Sequence, residues 1–366
     1  MAQLVEAHTT PKRAILVVID GLHIDALTRL TMPNCNRLAK QGTTIAKTCV
    51  IMPNHPTHGR YADVHTCSYP NPVMMTGTVF LAPHQKMLQH SFKKSAFIAN
   101  TEAYESIAHG YQFVVQEIGP DSLSVNHALA ILADNDVDFM RIHLQDAGTA
   151  GYETFRAATQ VPYSGNIWHS ESPYKKAIEE ADRQLGRLIT ALEARGELSQ
   201  TLLVVTGDHG QSAGGWHPML DEAGWLTPMV FHGPGIKRGA VLEWADQIDV
   251  APTIADMMGV EIPNQDGGSG KVLNEIRQST VVEVPNRSKL LELNRLLSRY
   301  AYLSAALILR SKDTPAYCGH LMLVERDFYG LDRILDWNEK ESIDSLINHN
   351  ATLINQMEAL LSSTTK

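Results

Sequence analysis

The stretch AILVVIDG, residues 14–21, decides the reading of the whole chain. Six apolar residues follow one another, most of them β-branched, with no polar alternation. A strand covered on both faces reads this way, as in a parallel sheet. The run stops at Asp20-Gly21, where the chain leaves the sheet. The same pattern recurs at residues 95–99 (SAFIA), 112–117 (QFVVQE), 137–144 (VDFMRIHL) and 202–206 (LLVVT). Helical spacing fills the gaps, at 34–41 (closed by Gly42), at 124–133 and at 173–194. In the last of these, Ile178, Ala181, Leu185, Leu188 and Leu192 share one face. Strands alternating with helices specify an α/β fold, a doubly wound, mostly parallel sheet flanked by helices. Such sheets bind ligands at the carboxyl ends of their strands. Asp20, Asp146 and Asp208 each follow one such strand.

The 366 residues are 44% hydrophobic and 19% charged, an ordinary globular balance. A formal charge of -9 argues against a nucleic-acid polymer or an anionic membrane as partner. An anionic small molecule stays open if metal ions supply positive charge. No apolar stretch reaches membrane-spanning length. The opening MAQLVEAHTTPKRAILVVID has too short an apolar run for a secretory signal. Cys35, Cys49, Cys67 and Cys318 are scattered, without a CxxC pair. Reduced thiols and a cytoplasmic location are the expectation.

The organisation expected is a core over residues 13–273, with 147–172 as an inserted lid loop rich in Gly, Thr, Ser and aromatics. The turn NQDGGSGKV, 264–272, closes that core. Residues 280–366 form a C-terminal α/β extension, which packs on the core or forms a homodimer interface. Its last helix, 340–362, carries Ile343, Leu346, Ile347, Leu353 and Ile354.

Four segments carry chemistry. TGDHG, 206–210, places Asp208 and His209 on a glycine-flanked turn after a buried strand, and GGWHP, 214–218, adds His217. The glycines permit unusual backbone angles, so carboxylate and imidazole can converge on a metal. Asp20 ends a buried strand and must be solvated, cap a helix or meet a cation. HTCSYPNPVMMTG, 65–77, sets Thr66, Cys67 and Ser68 just before a helix start marked by Pro70. A hydroxyl there is either a helix cap or a nucleophile favoured by the helix's positive end. HLQDAGTAGYETF, 143–155, brings Asp146 into a Gly-rich stretch, as a turn former or a second metal ligand.

In this order the pieces resemble the alkaline phosphatase superfamily, and within it the nucleotide pyrophosphatase/phosphodiesterase and phosphonoacetate hydrolase branch. The likeness covers roughly residues 13–273, including TPMVFHGPGIKRG (227–239) and QIDVAPTIADMMGVEIP (247–263). It implies two divalent metal ions, zinc in most members and manganese in some branches. Asp20, Asp208 and His209 would hold one with the nucleophile; Asp146 and His217 would hold the other. The aromatic-Pro-Asn element matches Ser68 as nucleophile, with Thr66 in reserve and Cys67 the choice when counting back from Thr76-Gly77. The family's second-site His falls on Ala150, and His169 is the replacement expected to reach back. Gln85 or Gln89 would stand in for a phosphate-binding Asn. Cys67-Ser68-Tyr69-Pro70 departs from the Cys-x-Pro-x-Arg of formylglycine sulfatases. The implied activity is hydrolysis of an anionic small-molecule phosphodiester or phosphonate through a phosphorylated Ser/Thr. A phosphomonoesterase, a phosphomutase and a non-catalytic metal-binding protein are the rivals.

Overall fold

The computed structural model describes residues 10–49, 86–102, 104–218, 221–263, 270–278, 288–310 and 344–363, and residues 319, 327, 328 and 333. Thr66, Cys67, Ser68 and Gln85 lie outside the described residues, as does most of the 264–272 turn.

The strands are β1 (Arg13–Ile19), β2 (Thr43–Cys49), β3 (Ser95–Ala99), β4 (Phe113–Gln116), β5 (Phe139–Leu144), β6 (Thr201–Thr206), β7 (Leu226–His232) and β8 (Ala240–Asp246). They form one sheet in the order β4-β3-β5-β1-β6-β7-β2-β8. All pairings are parallel except those of β7, which runs antiparallel to both β6 and β2.

The helices are α1 (Ala26–Arg29), α2 (Pro33–Gln41), α3 (Glu105–Ala108), α4 (Asp121–Asp134), α5 (Asp146–Arg156), α6 (Pro173–Ala194), α7 (Val250–Met258), α8 (Ser288–Arg310) and α9 (Asp344–Ser363). Side chains alternate across a strand and both faces of β1 are covered, which is why it is apolar from Ala14 to Ile19. Ile15, Val17 and Ile19 pack with α2, α4 and α6, while Ala14, Leu16 and Val18 pack with α3 and α7. Each such fully buried side chain contributes about 1.5–3 kcal/mol.

One expectation reads differently here. The first residues of 147–172 are helical, because α5 runs through Arg156. Gly148 and Gly151 are helix positions at which a Cβ would collide with Asp20 and Gln211 respectively. Their glycines mark close approach rather than a loop. In 280–366 the described residues are the helices α8 and α9 together with residues 319, 327, 328 and 333. Leu293, Leu303 and Leu307 pack with Leu346, Ile354 and Met357, and both helices join Trp225 and Leu226 of the sheet domain. Among the described residues no helix is long and apolar enough to cross a membrane.

Candidate metal centre

Strands β5, β1 and β6 lie side by side, so their carboxyl ends bring Gln145, Asp20 and Asp208 together. The Asp20 N–H donates to the Leu144 carbonyl at 2.9 Å. Gly21 then turns the chain at φ +62, a left-handed angle that favours glycine. Its N–H donates to Asp208 Oδ1 at 3.0 Å. The Tyr174 hydroxyl donates to the Gly21 carbonyl at 2.7 Å and accepts from the His23 N–H at 2.9 Å. On the other turn, Gln247 Nε2 donates to the carbonyls of Gly207 (2.8 Å) and Asp208 (2.7 Å). Both ligand-bearing turns are therefore pinned by buried side chains.

Asp20, Asp208 and His209 are buried, and their ligand atoms lie within 4.8 Å of one another. Among the described residues they are the one such group of three. His209 Nδ1 faces the Gly210 carbonyl at 2.8 Å. A carbonyl only accepts, so Nδ1 carries a proton and Nε2 is the ring nitrogen turned toward the carboxylates. That Nε2 stands 3.2 Å from Asp208 Oδ2 and 3.9 Å from Asp20 Oδ1. Burial, and next the Asp208 charge, push the Asp20 carboxyl above its ordinary range. Two carboxyl groups that repel each other and one imidazole nitrogen converge on one buried point, and a divalent cation there would be held by all three. The donor set therefore fits a metal ion.

Around Asp20 sits a polar shell that a scan for carboxylates and imidazoles passes over. Its Oδ2 accepts from Gln145 Nε2 at 3.0 Å and from the Tyr104 hydroxyl at 3.3 Å. His143 is buried, and burial first, then Arg141, lower its pKa to about 3. Neutral His143 meets Gln145 Oε1 at 3.1 Å, so it orients the amide and does not join the ligand group. Gln145 has a signal in sequence only as the neighbour of Asp146 in HLQDAG. Tyr104 has none, because tertiary contact alone brings it there.

The remaining candidates are placed as follows. Asp146 opens α5, and its carboxylate accepts from the Asp121 N–H at 2.9 Å and from Asn100 Nδ2 at 3.3 Å. Asp121 answers in kind, its Oδ1 accepting from the Asp146 N–H at 3.1 Å and from Asn100 Nδ2 at 2.9 Å. His217 is buried, its ring centroid 4.1 Å from that of His209, outside the group of three. His169 Nδ1 accepts from the Glu171 N–H at 3.2 Å on an exposed turn and joins no ligand group. Ala150 is a buried helix residue. Gln89 is buried with its amide on the carbonyls of Ile107 and His109, so it closes a helix end rather than facing a substrate.

Comparison with known proteins places the fold among ester hydrolases. Residues 80–260 match the sulfatase family model. Choline-sulfatase of Rhizobium meliloti (strain 1021) is 33% identical over 101 residues, 26% of this chain and 20% of that protein. The multifunctional alkaline phosphatase superfamily protein PehA of Trinickia caryophylli is 34% identical over 107 residues, 27% of this chain and 21% of that protein. These matches span only about a fifth of each curated relative. A phosphonate monoester hydrolase from Silicibacter pomeroyi has the same fold, with a TM-score of 0.56, 16% identity, and cover of 75% of this chain and 78% of that one. Residues 80–260 thus resemble a sulfatase domain, and the fold is the one seen in the phosphonate monoester hydrolase. Its relatives include proteins named as sulfatases and as a phosphonate ester hydrolase alike.

Proposed function

We propose that the chain is a metal-dependent hydrolase of small anionic esters, acting on a phosphonate monoester or a phosphodiester. The convergence of Asp20, Asp208 and His209 at the carboxyl ends of β1 and β6 carries this reading. These three residues would hold a divalent cation, zinc or manganese, and Gln145 and Tyr104 would fix the Asp20 carboxylate toward it. A cation there lowers the pKa of a nearby hydroxyl and offsets charge on the ester oxygens. Ser68 is the proposed nucleophile, with Thr66 in reserve. Its oxygen bonds to phosphorus as the leaving alcohol departs, and water then frees the hydroxyl. A second cation would draw on His217, which already lies against His209.

Sulfate ester hydrolysis is the second reading, favoured by the match of residues 80–260 to the sulfatase model. The absence of Cys-x-Pro-x-Arg at 67–70 weighs against it. Zinc- or manganese-loaded protein assayed on a phosphonate monoester, a phosphodiester and a sulfate ester separates the two. Turnover of a phosphorus ester that disappears in Asp208→Asn is expected. Turnover of the sulfate ester alone would move the assignment to the second reading, and full activity in Asp208→Asn would remove the proposed centre.

A further inference from the structure

A stack of rings runs outward from the metal-binding corner. The His217 ring lies beside that of His209, and the Trp216 ring stacks on His217 at 4.0 Å between centroids and 27° between planes. Tyr152 of α5 follows, its centroid 4.7 Å from that of Trp216. His209 is buried, whereas Trp216 is 38% exposed, Tyr152 37% and Phe155 56%. Tyr152 and Phe155 are three residues apart on α5 and so share a face.

The loop that carries Trp216 is held tightly. Ser212 N–H donates to the Trp216 carbonyl at 2.8 Å, Ser212 Oγ to the Gly215 carbonyl at 2.8 Å, and Gly215 N–H to the Ser212 carbonyl at 3.0 Å. A Cβ on Gly215 would meet the Phe155 nitrogen at 2.8 Å, so the loop rests directly on α5. Trp216 itself sits at φ +64, the one described non-glycine residue with positive φ. That conformation costs about 1–2 kcal/mol for a bulky side chain. Since Trp216 is more than a third exposed, its burial gives no full account of that strain.

We propose that Trp216, with Tyr152 and Phe155, is the platform for the organic group of the ester, and that this group is a flat ring, neutral or anionic. The proposal rests on the metal-dependent esterase reading, which puts the anionic end of the substrate at Asp20, Asp208 and His209. An exposed aromatic ledge continuous with that corner matches the face of a ring by offset stacking. The charge of the group follows from Arg156. Its guanidinium lies 5.3 Å from the Tyr152 ring centroid, and its Nη1 donates to the Tyr152 hydroxyl at 3.2 Å. A cation already engages the Tyr152 end of the ledge, so a second one, such as a quaternary ammonium group, is disfavoured beside it.

The test is calorimetric titration of metal-loaded full-length protein with phenylphosphonate and methylphosphonate, which share a headgroup and differ in the ring. The wild type should bind phenylphosphonate about tenfold more tightly. Trp216→Ala should erase that preference, Trp216→Phe should keep most of it, and Tyr152→Ala should reduce it about threefold. Tyr152 is on an exposed helix face, so its variant reads out even where Trp216→Ala fails to fold. Equal affinity of the wild type for both probes, or a preference that survives every one of these variants, overturns the platform and leaves the esterase reading standing. Tighter binding of 2-(trimethylammonio)ethylphosphonate than of phenylphosphonate overturns the choice of a neutral or anionic ring. Failure of both anions to bind metal-loaded protein contradicts the esterase reading and the platform with it.

Discussion

Two pairs of aspartates sit at the carboxyl ends of neighbouring strands, and they have opposite surroundings. Asp20 and Asp208 face each other across β1 and β6 with His209 between them. Asp146 and Asp121 stand beside β5 and β3, each accepting from the other's backbone N–H, with Asn100 bridging both. The first pair gathers acceptors around one point. The second matches its acceptors to donors at the starts of α4 and α5, where helix ends offer unpaired N–H groups. A carboxylate at a strand end thus suits a cation or caps a helix according to what its oxygens meet, and residue type alone does not separate the two.

The largest effect that sharpens this contrast is expected at Asp208. Asp208→Asn should lower kcat/KM on the best ester by about a thousandfold or more, the scale of removing the principal charge stabilisation at a reacting centre. Gly148→Ala comes next, since the added Cβ would collide with the Asp20 carboxylate. Metal affinity, read by titration with a chelator, should fall at least about tenfold. Unchanged affinity would mean that α5 does not constrain Asp20. Asp146→Ala should leave metal affinity within about twofold and lower stability by about 1–2 kcal/mol in urea melts, as loss of a cap does. Loss of metal without loss of stability would invert the contrast.

The smallest effect is in pH. Burial first, then the charge of Asp146, raise the Asp121 carboxyl to about 7. The unfolded chain ionises near 3.8 while the folded protein keeps its proton up to about 7. At this group the folded state then binds more protons across that window, so its contribution to stability falls as pH rises through it. Between pH 5 and pH 6 the wild type should lose about 1 kcal/mol more stability than Asp121→Asn does. A slope unchanged by the substitution would place its origin elsewhere.

Much of this was legible in sequence for physical reasons. Short apolar runs rich in β-branched residues mark β1 and β6 as strands covered on both faces, and their alternation with helical spacing placed β3 and β5 in the same sheet. Asp208 and His209 stood out because glycines flank them on a turn directly after such a strand. Gln145, Tyr104 and Gln247 did not stand out, because amides and phenols at a site carry no local pattern. Their roles arise from strands and loops far apart in sequence. Gly148 and Gly151 misled the reading of 147–172, since a glycine needed for close approach inside a helix resembles a glycine needed for a turn. Asp146 looked like Asp20 in sequence, and only its partners Asp121 and Asn100 distinguish it.

The central claim is that Asp20, Asp208 and His209 are the metal centre while Asp146 locks two helices. Elemental mass spectrometry of the wild type, Asp208→Asn and Asp146→Asn, each loaded with zinc or manganese and desalted, tests it most directly. The account predicts bound metal in the wild type and Asp146→Asn, and its loss in Asp208→Asn. Metal retained in Asp208→Asn, or lost equally from both variants, would contradict it.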